Sequence, residues 1–178
     1  MVIFPWVLSL VVGFLSLSQE ILWVRLGAFA YGGLPQIFSF ILATYLIGIA
    51  LGAYVGKLFC DRKFNLYYAG GATLLLAGVT DLLTTLYAPI ILSKPLFLPL
   101  VALALILTAA IKSVLFPIAH HLGSFQSGPK IGRSVSKVYF ANIIGSTLGP
   151  VVTGFFLLNH FTTEVCFLIL GAGSLGMG

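Results

Sequence analysis

Apolar residues run for about the thickness of a bilayer in several stretches of this chain, and polar or charged residues gather between them. Pro, Gly and charge clusters divide the pattern into about six helices, over approximately 4–30, 36–55, 66–87, 96–119, 138–158 and 162–178. The first stretch is longer than a span of ~20 residues needs, which predicts a tilt or kink. The last is only ~17 residues, about the minimum for a crossing. Gly32, Gly33 and Pro35 make the first turn, and Lys57, Asp61, Arg62 and Lys63 stop the second helix. Pro89, Lys94 and Pro95 mark the turn into the fourth, and the polar stretch from His120 to Lys137 reads as a surface loop.

Composition supports the same class by a separate route. With 60% hydrophobic and 7% charged residues, too little polar surface exists to coat a water-soluble globule. The 178 residues are used up by the spans and their connections, so the expectation is an all-α integral membrane protein, residues 1–178 forming a single polytopic domain in the lipid bilayer.

Lysine and arginine counts orient it. Lys57, Arg62, Lys63, Lys130, Arg133 and Lys137 fall on one side and Lys94 on the other, which predicts an inner-membrane protein with both termini cytoplasmic. Topology and anionic lipid at the inner leaflet then account for the net charge of +5, and nucleic-acid binding lacks the basic soluble surface it would need. The amino end has no basic region ahead of its apolar run, so the first helix is expected to stay rather than be cleaved. Cys60 and Cys166 are expected near opposite faces, which argues against a disulfide, and neither has a metal-ligating neighbour.

Four ionisable residues interrupt the apolar stretches: Glu20, Arg25, Asp81 and Lys112. A charge at membrane depth costs at least ~2.5–3.5 kcal/mol, so these residues usually face a bundle interior and pair or work there. Glu20 and Arg25 are separated by a net rotation of ~140° on a straight helix and do not share a face. Each is expected to pair with another helix or to lie near an interface, and structural pairing is favoured over proton or cation handling. With the spans as drawn, Asp81 lies toward the far side and Lys112 toward the cytoplasm. A bridge between them would need staggered helices, and snorkelling of Lys112 to the interface is the simpler account.

Small residues mark close helix packing. Gly48, Gly52 and Gly56 line one face of the second span, and Ala141, Gly145 and Gly149, with Asn142 at their edge, repeat the device in the fifth. Gly171 to Gly176 carries the spacing of a dinucleotide-binding turn. It lacks the following helix and the acidic residue that chemistry requires, so it is read as membrane helix. His120, His121 and His160 sit near helix ends on opposite sides, which gives no facing pair for a haem and leaves no cofactor or metal expected; a single axial contact to a partner's pigment stays open.

Four segments resemble the membrane half of the fused major-facilitator/spermidine-synthase family. They are Gln19-Glu20-Ile21-Leu22-Trp23-Val24-Arg25-Leu26; Leu51-Gly52-Ala53-Tyr54-Val55-Gly56 with Asp61-Arg62; Phe116-Pro117; and Gly132-Arg133 leading into Val138-Tyr139-Phe140-Ala141-Asn142-Ile143-Ile144-Gly145. The resemblance implies a bundle of about six helices like one half of a major-facilitator fold. That family usually continues into an aminopropyltransferase-like domain, which this sequence lacks, so its enzymatic activity does not carry over. Lys112 departs from the neutral side chain the resemblance implies.

Two functions are expected from these readings. One is a non-enzymatic accessory or scaffold subunit that packs against another membrane protein. The alternative is a half-transporter that dimerises with a second copy to move a small solute, a polyamine or other cation, with Glu20 and Asp81 as coupling sites.

Overall fold

Helices form wherever the apolar runs lie, and the second continues past Lys57, the first charge after its run. In a computed structural model, which describes residues 3–62, 65–93, 98–125 and 131–178, the elements are α1 (Phe4–Tyr31), α2 (Pro35–Asp61), α3 (Leu66–Leu92), α4 (Leu98–Ser113), α5 (Leu115–Phe125), α6 (Ile131–Val152), a π turn (Thr153–Leu157), α7 (Leu158–His160) and α8 (Thr163–Leu175). Five helical stretches are long and apolar enough to cross a membrane: Phe4–Tyr31, Pro35–Asp61, Leu66–Leu92, Leu98–Ser124 and Gly132–His160. No strand occurs among the described residues, and the chain is an all-helical membrane bundle.

Local chemistry sets the ends. Prolines in the first turns of α1 and α2 occupy positions where the missing N–H has no helical partner to lose. Gly32 closes α1 in the left-handed region (φ 73°), which a residue without a β-carbon enters at little cost. Asn65 caps α3 by accepting the Tyr67 N–H at 3.1 Å, and Thr162 caps α8. Between α4 and α5 the Val114 N–H still reaches the Ala110 carbonyl at 3.2 Å, so the two run on as one span. Pro150 lies inside α6, and the π turn follows directly.

The helix bounds correct the sequence reading in several places. Pro89 lies within α3, which runs to Leu92 rather than ending at Tyr87. The stretch from His120 to Lys137 is not one loop: 120–125 complete α5 and 131–137 begin α6. The second helix continues to Asp61, and α8 is 13 residues rather than ~17. The physical reason is that a charged or polar residue ends an apolar run without ending the backbone hydrogen-bond ladder, and Pro89 removes one bond of that ladder without stopping α3. Lys63, Lys94, Pro95 and Lys130 lie outside the described residues.

The closest pairs are α1 with α6, α2 with α4, and α3 with α8. Glycines set the first two seams. A β-carbon on Gly145 would run into the Leu10 carbonyl, and one on Gly149 would come within 2.5 Å of the Phe14 carbonyl. On the other seam a β-carbon on Gly52 would strike the Ala110 carbonyl, and one on Gly56 would lie 2.5 Å from that of Val114. These contacts repeat at fixed offsets. Leu10 and Phe14 correspond to Ala110 and Val114 one hundred positions on, and Gly52 and Gly56 to Gly145 and Gly149 ninety-three on. The third pair closes the pattern, since Gly78 and Gly171, again ninety-three apart, meet reciprocally: a β-carbon on either lies within 3.1 Å of the other's carbonyl. Helices α1–α3 and α4–α8 are thus related by an approximate two-fold axis, the arrangement of an inverted repeat.

Candidate functional site

The buried faces of α1, α3 and α4 carry three polar side chains to one point. Gln19 follows Val12, Leu15 and Ser16 on the inward stripe of α1, and Asp81 follows Thr73, Leu74, Ala77 and Gly78 on that of α3. Lys112 follows Val101, Leu105, Thr108 and Ala109 on that of α4. The Lys112 Nζ lies 2.8 Å from Asp81 Oδ2 and donates to Oδ1 at 3.0 Å, and Gln19 Nε2 donates to the same Oδ1 at 2.7 Å. Asp81 and Gln19 are fully buried and Lys112 is 2% exposed.

This overturns the snorkelling account of Lys112. Both helices are longer than their apolar runs, α3 at its end and the α4–α5 span at its end, so the two residues come to similar depth. Removed from water, each charge would be far more costly alone than opposite the other.

A second strand of the network joins α1 to α2. The Tyr45 hydroxyl donates to the Ser16 carbonyl at 2.7 Å and sits 3.3 Å from Ser16 Oγ, with Gln19 Oε1 at 3.4 Å. Gln19 therefore stands between the ion pair and the tyrosine. Tyr45 belongs to a buried apolar cluster with Leu22, Trp23, Leu105 and Phe167, in which Trp23 lies edge-on to Phe167.

Ser16 also faces a cavity of about 180 Å³ between α1, α2, α6 and the α4–α5 junction. Its lining follows the two-fold relation: Gly13 with Ser113, Ser16 with Phe116, Ile49 with Asn142, and Ala53 with Ser146. The cavity therefore straddles the axis. Its polar groups are hydroxyls and one carboxamide, and no ionisable side chain among the described residues lines it.

The remaining sequence candidates fall elsewhere. Glu20 is half-buried and Arg25 exposed on α1, and neither forms an ion pair among the described residues. Gly48, Gly52 and Gly56 do line a packing face, against α4 and α5, as Ala141, Gly145 and Gly149 mark one against α1. Asn142 lies at that second seam, its carbonyl 2.5 Å from where a β-carbon on Gly13 would stand. Gly171 to Gly176 belongs to α8 and its cap. His120 on α5 lies against Phe116 with ring centroids 4.4 Å apart and the rings tilted by 59°, while His160 ends α7 with Nδ1 2.8 Å from the Phe156 carbonyl. Cys60 and Cys166 are both free thiols.

Sequence reasoning missed Gln19, Tyr45 and Ser16 as members of the site. Gln19 and Tyr45 each stand in a run of apolar residues at inward helical spacing, which is the available signal.

Compared with models of protein families, with curated proteins and with solved structures, the chain matches none.

Proposed function

We propose that this chain is a non-enzymatic accessory or scaffold subunit, built like one half of a major-facilitator bundle, that packs in the membrane against another protein. The observation that carries the reading is the closed Asp81–Lys112–Gln19 cluster. The charges at membrane depth on α3 and α4 are spent on one another inside the bundle, so they hold helices together rather than face a solute path. The cavity on the axis offers only neutral groups among the described residues, and its volume suits a side chain from a partner.

The resemblance to the membrane half of the fused major-facilitator/spermidine-synthase family supports this reading, as does the inverted-repeat contact pattern. In this reading the protein sits in an inner membrane with both termini cytoplasmic. The same axis and cavity favour one alternative, a half-transporter whose central path forms when two copies meet, since transporters of that architecture place their site between two six-helix halves.

Extraction into nanodiscs from native membranes, followed by native mass spectrometry, separates the readings. The subunit proposal expects a stoichiometric complex with a different protein. A homodimer that moves solute would replace it with the half-transporter, and a monomer in native membranes would sink both.

A further inference from the structure

The first two turns of α6 stand beside the start of α1. Ser9 Oγ donates to the Val138 carbonyl at 2.9 Å, and the Lys137 ammonium lies 4.7 Å over the Trp6 ring. A groove of about 390 Å³ lies there between the helices, almost wholly apolar, lined by Val7, Leu10, Phe140, Ala141 and Ile144 with Trp6 and Lys137. Arg133, Lys137, Ala141 and Ile144 follow at intervals of four and three, so one stripe of α6 runs from cations at the helix start to apolar groups below. Arg133 and Lys137 are exposed. A tryptophan at this level is the usual mark of the headgroup region.

We propose that this groove binds an anionic phospholipid, with the phosphate at Lys137 and Arg133 and one acyl chain lying between Leu10, Phe140 and Ile144. Charge complementarity selects the occupant, because Lys137 stands at the mouth of the groove with exposed Arg133 one turn before it on the same stripe of α6, and no acidic side chain among the described residues lines the channel. A zwitterionic lipid offers a cation of its own beside the phosphate and meets Lys137 and Arg133 less well. Holding Lys137 over the indole directs its ammonium across the mouth of the groove instead of out into water. The inference stands apart from the subunit reading above.

The full-length protein in nanodiscs of mixed phosphatidylcholine and phosphatidylglycerol tests it by native mass spectrometry of retained lipid. The expected result is one phosphatidylglycerol per chain, held against excess inorganic phosphate. Retention should fall about thirtyfold in the double variant Lys137→Gln/Arg133→Gln, given the strength of basic side chains near anionic lipid. The control Lys57→Gln/Arg62→Gln removes two exposed cations from the end of α2 and should retain the lipid. Val7→Phe narrows the groove with every charge in place and should also weaken retention, which decides the matter if the double variant assembles poorly. Equal retention of both lipids, displacement by free phosphate, or equal loss in the α2 control would overturn the proposal.

Discussion

Asp81 and Lys112 each make the other tolerable. Replacing Lys112 by Met leaves a carboxylate fully buried with only Gln19 to meet it, and the expected loss of stability is about 3–5 kcal/mol. Asp81→Leu strands the ammonium in the same way. The double variant should recover most of the loss, because a buried ion pair is often no better than well-packed apolar groups of similar volume. Thermal unfolding of the three variants in detergent checks this, and a double variant no better than the singles would refute it. Both residues were conspicuous in the sequence as charges in apolar stretches. Their partnership was not, because the apolar runs stop short of the helix ends and so misplace the depth of both residues. Gln19 was less visible still: an uncharged amide beside Glu20 draws attention to its neighbour, yet Glu20 is the one turned partly outward.

At the scale of helices, the seams α1–α6 and α2–α4 rest on glycines whose missing side chains let backbone meet backbone. Gly145→Leu and Gly52→Leu each push a side chain into a carbonyl of the facing helix, where repacking cannot make room. Either should cost more than the ~1–3 kcal/mol usual for overpacking and remove most folded protein. Gly154→Leu and Gly173→Leu, placed where a β-carbon meets nothing within 4 Å, should leave the yield unchanged. Fluorescence-detected size exclusion of the four variants reads the contrast, and similar losses in both sets would contradict it. The stripes themselves were legible, since spacing by four on a helix is a local property. What each stripe faces is not local, and the constant offset between Gly52–Gly56 and Gly145–Gly149 carries meaning only once Gly78 and Gly171 are seen to meet.

For the molecule as a whole, the class was written in the length and composition of the apolar runs, whereas the order in which helices neighbour one another depends on shape matching that no single run encodes. The membrane orientation remains a proposal, and cysteines introduced in place of Arg62 and Arg133 test it. Both should react with an impermeant maleimide from the same side of sealed vesicles, that of the cytoplasm, and labelling from opposite sides would refute it. The Asp81–Lys112 pair also bears on how the bundle is made. A chain is synthesised from its amino end, so α3 reaches the bilayer before the counter-ion of its carboxylate exists, and Gln19 on α1 is the one member of the cluster already waiting. Secure insertion of the third helix then depends on the arrival of the fourth, which makes the α3–α4 hairpin, rather than the single helix, the unit of biogenesis.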